Sequence, residues 1–309
     1  MRADSVGKMI KESGKPVDWI SIQELGGTRN AVTKGKQIVK AMSEKVQGLK
    51  RKEFDVSKLV VGVKCGGSDT TSGLAGNPAV GAFADMMVDA GGAVVMTEPI
   101  EAIGAEEPLA KRAINEEVRR KIYKMVGDEE KRWSVPGAEI EFMCGGNVEA
   151  GLTTIEEKSL GAIRKSGSRP IRGVLEVSKS SVDKVPEEAG VYLQDGTHAT
   201  PGTATIMAAA GVQIIVMPTG LGATIGYAVV PVIKVTGNPQ TYHRMKDDMD
   251  INAGTIIEGR ESIEAVGQRI FNEIIEVASG KLSRGEALGY NSFGPFRRHP
   301  GLEKMLGIS

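Results

Sequence analysis

The chain has 309 residues, of which 39 are Lys or Arg and 39 are Asp or Glu, so its net charge is zero. This balance disfavours nucleic acid as a partner, because nucleic-acid-binding proteins usually carry a positive excess. Two cysteines, Cys65 and Cys144, cannot form a disulfide framework, which favours a cytoplasmic protein. The longest apolar run, Tyr227 to Ile233, is far too short to span a membrane, and the charged start of the chain does not resemble a signal peptide.

The predicted elements alternate between strands and helices along the chain. After an opening amphipathic helix at Ala3–Ser13, short apolar runs predict strands at Val17–Ile22, Leu59–Val63, Ala93–Met96, Gly173–Leu175, Val191–Leu193, Val212–Met217 and Val229–Val235. Longer amphipathic runs predict helices at Ala31–Glu44, Asn77–Asp89, Glu106–Met125, Thr153–Lys165, Thr203–Ala210, Pro239–Lys246 and Ile263–Ser279. The alternation predicts an α/β fold with mostly parallel sheets and helices on both faces, in two Rossmann-like halves.

A change in composition suggests where the two halves meet. The charged run Asp128–Arg132 gives way to Pro136-Gly137 and then to Gly145-Gly146, and such residues break regular structure. The predicted domains are therefore residues 1–135 and 136–309.

The segment from Lys64 to Gly73 holds the densest chemistry, because it follows a predicted strand and combines Cys65, Asp69 and several glycines. Ligands bind at the carboxyl ends of strands in open α/β sheets. A thiolate and a carboxylate in this position suit a metal ion, and glycine amides suit an anion. The alternative is a tight glycine turn with a buried cysteine.

Carboxylates also follow the next predicted strand. Glu98 and Glu106 emerge at the same sheet edge, where several negative oxygens are costly unless a cation offsets them. We therefore count both as candidate ligands of a divalent metal. Glu106 has a purely structural alternative, since an acidic residue stabilises a helix N-terminus.

A helix start in the middle of the chain combines capping residues with a lysine. Thr153 with Glu156, or Thr154 with Glu157, has the spacing of a capping box. Lys158 stands one turn inside this helix, whose first turn is able to receive a substrate carboxylate. Capping alone explains the threonines, whereas Lys158 and Glu157 remain candidate catalytic residues.

Two glycine-rich turns are candidate substrate-binding elements. Asn147 follows a pair of glycines just before the capped helix, and Thr219, Gly220 and Gly222 follow the predicted strand Val212–Met217. Closely spaced glycines after a strand expose backbone amides to an anion such as a carboxylate.

Further polar candidates lie in the second half. His198 follows the strand Val191–Leu193 and is a candidate base or ligand, although a lone histidine is more often a loop hydrogen-bonder. Asp250 and Asn252 add polar groups to a later loop as candidate substrate contacts.

These segments, in this order, resemble the large chain of the altronate/galactarate dehydratase family, which includes the large subunit of sulfolactate sulfo-lyase. The similarity runs over nearly the whole chain, and its collinear motifs are Ile22–Thr28, Lys64–Gly73 with Asn77-Pro78, Gly146–Gly161, Pro218–Gly226, Pro231–Lys234, and Asp250–Gly254 leading to Ser262-Ile263 and Val277–Lys281. The resemblance implies a metal-dependent lyase, typically with Fe²⁺ and with Mn²⁺ as an alternative, that removes water or sulfite from a hydroxy acid beside its carboxylate.

This chemistry assigns expected roles to the candidates. A base must remove the proton beside the carboxylate, and cations or N–H donors must stabilise the resulting dianion. Lys158 is the preferred base, with His198 as the alternative. The expected metal ligands are Cys65, Asp69, Glu98 and Glu106, and the expected substrate contacts are Asn147, Thr153, Thr154, Thr219, Gly220, Gly222, Asp250 and Asn252.

Departures from the family leave alternatives open. Glu107 stands where members commonly have His, and Leu221 stands where many sugar-acid dehydratases have Arg. The substrate is therefore either a sugar acid such as altronate or galactarate, or sulfolactate. The resemblance also implies that the family's N-terminal segment is missing here, so we expect a small partner subunit and an oligomer. A non-catalytic assembly subunit is the remaining alternative.

Overall fold

A computed structural model of the chain describes residues 2–134, 143–178, 181–196 and 200–294. The chain divides into two compact units, Met1–Phe54 and Asp55–Ser309. The predicted boundary at residue 135 lies outside the described residues, and the division into residues 1–135 and 136–309 stays a prediction.

The first unit contains two helices, α1 (Ala3–Glu12) and α2 (Thr28–Val46). The prediction of a strand at Val17–Ile22 is wrong. This segment has no regular secondary structure up to Ser21, and a turn begins at Ile22. Its apolar side chains cover helices instead of pairing in a sheet. Trp19 lies so close to Gly7 of α1 that a Cβ on the glycine would be 2.1 Å from the indole ring.

The second unit is built on one sheet, in which all strand pairings are parallel. Its seven strands among the described residues are β1 (Val60–Val63), β2 (Ala93–Met96), β3 (Ile171–Leu175), β4 (Gly190–Gln194), β5 (Ile214–Thr219), β6 (Val232–Thr236) and β7 (Ile251–Asn252). Their order is β3-β4-β2-β1-β5-β6-β7. The predicted α/β fold with a mostly parallel sheet is confirmed, and strands from both predicted halves share this sheet.

The helices of this unit follow the strands. They are α3 (Asn77–Asp89), α4 (Glu106–Ala110), α5 (Glu116–Trp133), α6 (Gly145–Glu149), α7 (Ile155–Ala162), α8 (Thr200–Ala210), α9 (Pro239–Arg244), α10 (Gly254–Ile257), α11 (Ile263–Ala278) and α12 (Arg284–Ala287). Most match the predictions, but the helix predicted at Glu106–Met125 is broken between α4 and α5. Asn115 caps the second piece by accepting a hydrogen bond from the backbone of Val118 at 2.9 Å.

Two apolar cores cover the two faces of the sheet, because alternate strand residues point to opposite faces. Val61 and Val63 of β1 belong to a core with residues of α3, α5 and α11. Val95 and Ile215 belong to the other core, which includes residues of α8. The strands are thus buried on both faces, as their apolar composition predicts.

The sheet order places a topological switch point between β1 and β5, which we call the crevice. The chain leaves β1 toward β2 on one side and leaves β5 toward β6 on the other. Ligands bind at such switch points in open α/β sheets. No helix in the described part of the chain is long and apolar enough to cross a membrane.

Candidate active site

The loop after β1 lies at this crevice and begins with a fully buried lysine, Lys64. Its ammonium lies 3.3 Å from Glu98 Oε1 and also donates a hydrogen bond to the carbonyl oxygen of Cys65. Further on, the loop forms a π-helical turn at Ser72–Gly76, a rare geometry that is frequent at functional sites.

Glu98, in the loop after β2, is held in a strained backbone conformation. Its φ is 69°, and it is the one non-glycine residue with a positive φ in the described ranges. Such a conformation costs on the order of 1–2 kcal/mol. It places Oε2 2.8 Å from the backbone N–H of Cys65, which donates to it. Burial raises the pKa of Glu98, and the nearby Lys64 opposes that rise.

A second buried pair lies next to the first. Glu101, in the 3₁₀ turn Pro99–Ala102, pairs with Lys165, in the 3₁₀ turn Ile163–Ser166 that continues α7. Although burial alone would raise it, the pKa of Glu101 is lowered by the charges of Lys165 and Lys158. The pKa of Lys165 is raised because Glu101, Cys65 and Glu98 outweigh the effect of burial.

Lys158, the preferred base, belongs to the same group of charges. It is half-buried in α7, and its charge acts on Glu101. We call Lys64, Cys65, Glu98, Glu101, Lys158 and Lys165 the lysine–glutamate cluster.

Two contacts position the turn that carries Lys165. Arg112 donates hydrogen bonds to the hydroxyl and the carbonyl oxygen of Ser166, at 2.8 and 2.9 Å. Gly81 of α3 lies against the same turn, and a Cβ on it would be 2.1 Å from the carbonyl oxygen of Arg164. The close approach of α3 therefore fixes where Lys165 meets Glu101.

The Cys65 thiol is held as a neutral group. It lies 3.0 Å from the hydroxyl of Ser68 and accepts a hydrogen bond from the N–H of Gly67 at 3.3 Å. Burial, together with the negative charges of Glu101 and Glu98, raises the pKa of Cys65 to about 11. A metal ion would have to displace the proton of this thiol, and the raised pKa makes that displacement less favourable.

Asp69 organises the loops around the crevice. One carboxylate oxygen accepts hydrogen bonds from the Thr71 hydroxyl at 2.6 Å and from the Ser72 backbone at 3.0 Å. The other accepts one from the Asn238 side chain at 2.8 Å. Both oxygens are thus engaged by the chain itself, which leaves Asp69 little capacity as a metal ligand.

Thr219, Gly220 and Gly222 lie at the crevice after β5. The Thr219 hydroxyl donates to the carbonyl oxygen of Gly66 and accepts from the N–H of Gly222, at 2.8 and 2.9 Å. The N–H of Gly220 donates to the carbonyl oxygen of Gly67 at 2.8 Å. The amide of Gly220 thus joins the loops after β1 and β5, and the amide of Gly222 is bound to Thr219 of its own loop, so both have partners within the chain.

Asn147, in α6, joins the same loop from the other side. Its side chain donates to the carbonyl oxygen of Ser68 at 2.7 Å and accepts from the Cys144 thiol at 3.1 Å. It is buried, so it positions the loop after β1 beside α6.

The predicted capping residues do cap α7. The Thr154 side chain accepts from the backbone N–H of Glu157 at 3.2 Å. The Glu157 carboxylate accepts from the hydroxyl and the N–H of Thr153, at 2.6 and 2.8 Å. These bonds lower the pKa of Glu157, which is exposed. They account for Thr153, Thr154 and Glu157 without a substrate.

Three other candidates have local partners. Asp250 accepts hydrogen bonds from the backbone N–H groups of Lys234 and Arg284, each at 2.8 Å, and so joins β6 to α12. Asn252 lies in β7 and accepts from the N–H of Gly254 at 2.9 Å. Glu106 accepts from the N–H of Gly104 at 2.8 Å at the start of α4.

The residues that the structure describes do not fit the implied metal. No three of their His, Cys, Asp and Glu side chains come together in a way that could hold a metal ion. Cys65, Glu98 and Asp69 are engaged as described above, and Glu106 has its own backbone partner. His198, the alternative base, lies outside the described residues.

Sequence reasoning missed Lys64, Glu101 and Lys165. Lys64 directly follows an apolar strand, and Glu101 follows Glu98 by three residues. Both positions could therefore have been identified from the sequence as candidate site positions. Lys165 gave no such signal, because its burial depends on the contact between α3 and the turn after α7.

Comparison with known proteins gives a family match over most of the chain. Residues 56–300 match the model of the D-galactarate/altronate dehydratase family, C-terminal part.

Three curated relatives agree with this match. The chain is 34% identical to (2R)-sulfolactate sulfo-lyase subunit beta of Chromohalobacter salexigens, over 92% of this chain and 72% of that protein. It is 34% identical to altronate dehydratase of Bacillus subtilis, over 85% of this chain and 52% of the relative. It is 37% identical to galactarate dehydratase (L-threo-forming) of Escherichia coli, over 79% and 46%. The chain thus spans about half the length of the two dehydratases.

Proposed function

The chain belongs to the D-galactarate/altronate dehydratase family, and from this we propose that it is the large chain of a lyase that removes water from a hydroxy acid. A sugar acid such as altronate or galactarate is the proposed substrate, which makes the reaction a carbon–oxygen bond cleavage. We propose that a small partner subunit completes the enzyme, since one relative is named a subunit beta.

The observation that carries this proposal is the lysine–glutamate cluster at the carboxyl ends of β1 and β2. In their charged forms, its three lysines and two glutamates sum to +1 while Cys65 stays neutral. The cluster carries +1 while Lys158 is protonated, and this charge attracts an acid substrate. Once Lys158 is neutral and acts as the base the cluster sums to zero, and Lys158 restores the positive charge by taking up the proton as negative charge grows on the carboxylate.

Lys158 is the proposed proton acceptor, because it is the half-buried lysine of the cluster, whereas Lys64 and Lys165 are fully buried and paired. In its neutral form, Lys158 takes the proton from the carbon beside the carboxylate. The electron pair of that C–H bond forms the carbon–carbon double bond. The C–O bond on the next carbon breaks with its electron pair going to oxygen, and the leaving hydroxyl takes up the proton that Lys158 has accepted, so that it departs as water and Lys158 is again neutral. No step of this proposal uses a metal ion.

The second candidate is removal of sulfite from sulfolactate. It is favoured by the extent of the match, since the chain covers 72% of the sulfo-lyase subunit but only about half of each dehydratase. The same proton abstraction serves both reactions, and only the leaving group differs.

The test is an anaerobic assay of the purified chain with altronate, galactarate and sulfolactate, with and without its small partner and with added Fe²⁺ or Mn²⁺. We expect turnover of one of them, and loss of that turnover in Lys158→Met. Lys111→Met is the matched control, because Lys111 is an exposed lysine paired with Glu107.

Absence of turnover with all three acids in every combination would reject the lyase assignment and favour an assembly subunit. Near-normal kcat in Lys158→Met would instead reject only the role of Lys158, and the same assay on His198→Ala would then test the alternative base.

A further inference from the structure

Charge is distributed unevenly along the chain. Residues 1–54 hold twelve Lys or Arg and six Asp or Glu, a net charge of +6, so the rest of the chain, with 27 and 33, carries −6. Five of the basic residues lie in α2, which has one acidic residue, Glu44. Such a basic helix attracts negatively charged partners.

α2 also exposes a row of apolar side chains. Val32, Val39 and Val46 are 51%, 65% and 56% exposed, although valine is usually buried. They are seven residues apart, so they lie within about 40° of one another on the helix and form a line roughly 20 Å long. We call them the valine row.

The two sides of the valine row differ. On one side, Gly35, Ile38 and Met42 are half-buried within the same unit. On the other side lie Arg29, Lys36 and Lys40, all exposed, and the surface beside Val39 is open. Within its own unit, this face of α2 is therefore one apolar side chain wide, and its border is net positive, with three basic residues and Glu44.

This geometry distinguishes between kinds of partner. A nucleic acid binds mainly through its phosphates and would leave the valine row uncovered. A bilayer surface binds helices that have a wide apolar face, whereas the valine row is narrow. A second copy of α2 would bring Lys36 and Lys40 against like charges. The valine row supplies one of the two apolar positions of a heptad, with β-branched residues and a flank of basic residues. It therefore suits the edge of a helix that carries opposite charge beside its own apolar residues.

We propose that the valine row and its basic border dock an acidic amphipathic helix of another protein chain. The valines pack between apolar side chains of that helix, and Arg29, Lys36 and Lys40 pair with its Glu or Asp residues. This interaction goes beyond the proposed lyase activity and does not depend on it.

The test measures binding of the full chain to a labelled synthetic peptide by fluorescence anisotropy at low and high salt. The peptide has four heptads with Ile and Leu at the apolar positions and Glu at the flanking positions, and a second peptide with Lys in place of Glu is the control. We expect saturable binding of the acidic peptide, weaker at high salt, and none of the basic one.

Two double variants separate a specific contact from general attraction. Lys36→Glu/Lys40→Glu reverses the border of the valine row, whereas Lys34→Glu/Lys45→Glu makes the same change in charge on the opposite side of α2. We expect about tenfold weaker binding for the first pair, because two favourable contacts become repulsive, and at most a twofold change for the second. Val39→Ser should also weaken binding, and circular dichroism checks that each variant is folded.

Several results would overturn the proposal. Equal losses in the two double variants, or no saturable binding by wild type, would show that the row is not a helix-binding site. Preferential binding to vesicles with 30% phosphatidylglycerol would assign a lipid surface. A dimer in sedimentation equilibrium that Val39→Ser dissociates would assign a second copy of the chain.

Discussion

The thiol of Cys65 lies among glutamates, which makes its chemistry testable. Because its pKa is raised to about 11, the thiolate fraction near pH 8 is roughly two orders of magnitude below that of an ordinary cysteine. We expect iodoacetamide to alkylate Cys65 correspondingly slowly, with a rate that rises about tenfold per pH unit and levels off only near pH 11. The measurement uses a Cys144→Ser variant, so that Cys65 alone reports.

In that experiment, unfolding the variant in urea provides the control, because it should restore the ordinary rate. Rapid alkylation of the folded variant at pH 8 would show an ionised thiol, and it would contradict the raised pKa of Cys65.

Replacing one member of the buried pair Glu101–Lys165 should lower the free energy of unfolding more than replacing both members. Lys165→Met leaves a buried carboxylate without its partner, which typically costs about 3–5 kcal/mol of unfolding free energy. The double variant Lys165→Met/Glu101→Gln removes both charges and should recover at least half of that loss. Urea denaturation measures both.

The pH dependence of this pair follows from its shifted pKa values. The lowered pKa of Glu101 gives stability that is present above its ordinary value of 4.5 and is lost as the pH falls through the folded value. The raised pKa of Lys165 gives stability that is complete below 10.5 and is lost as the pH rises through the folded value. The stability advantage of wild type over the double variant should thus shrink as the pH falls below about 4.5 and as it rises above about 10.5, and an advantage that grew at either end would contradict the assigned shifts.

Glu106 offers a further test at the residue scale. Its side chain accepts a hydrogen bond from Gly104, which a glutamine would also accept. We expect Glu106→Gln to keep activity within about twofold of wild type and to leave unchanged whatever iron the wild-type protein takes up in anaerobic loading, measured by mass spectrometry. A stoichiometric loss of iron would instead identify Glu106 as a ligand.

At the scale of elements, the approach of α3 to the turn after α7 sets the position of Lys165. Gly81→Ala would place a Cβ 2.1 Å from a backbone oxygen, so the two elements must separate. We expect about 1–3 kcal/mol of destabilisation together with loss of activity. Gly127→Ala, in α5, has nothing within 4 Å and should stabilise by about 0.5–1 kcal/mol with activity unchanged.

Thermal unfolding and kcat measured on both glycine variants decide this prediction. A Gly81→Ala protein with wild-type activity would show that the turn carrying Lys165 does not serve the site.

Some elements can be predicted from their local sequence, and others depend on tertiary packing. Buried parallel strands such as β2 could be predicted because an apolar run of that length has few alternatives. The run Val17–Ile22 looked the same in sequence, but its side chains pack on helices, which a local pattern does not reveal. The break between α4 and α5 had a local signal, the Asn115 cap, within an otherwise helical run.

The candidate site was predictable in location more than in composition. Cys65 and Glu98 lie in the loops after β1 and β2, and Lys158 lies one turn inside α7. The carboxyl-end rule predicts that loops after parallel strands meet at one edge of the sheet. Asp250 and Asn252 lie at β7, the edge strand beyond β6. Their position in the sequence does not indicate that they lie away from the lysine–glutamate cluster. Lys165 enters the cluster only through tertiary packing.

At the scale of the whole molecule, the sheet order determines when its centre is complete. β1 lies between β2 and β5, and β5 begins only at Ile214. At about 5–20 residues per second, roughly 8–30 s of synthesis separate the emergence of β1 from that of its second neighbour. During this interval β1 presents an open edge, which is a hazard for aggregation. Chains stalled on the ribosome before β5 should therefore be protease-sensitive and bind chaperones, whereas chains stalled after β6 has emerged should resist digestion.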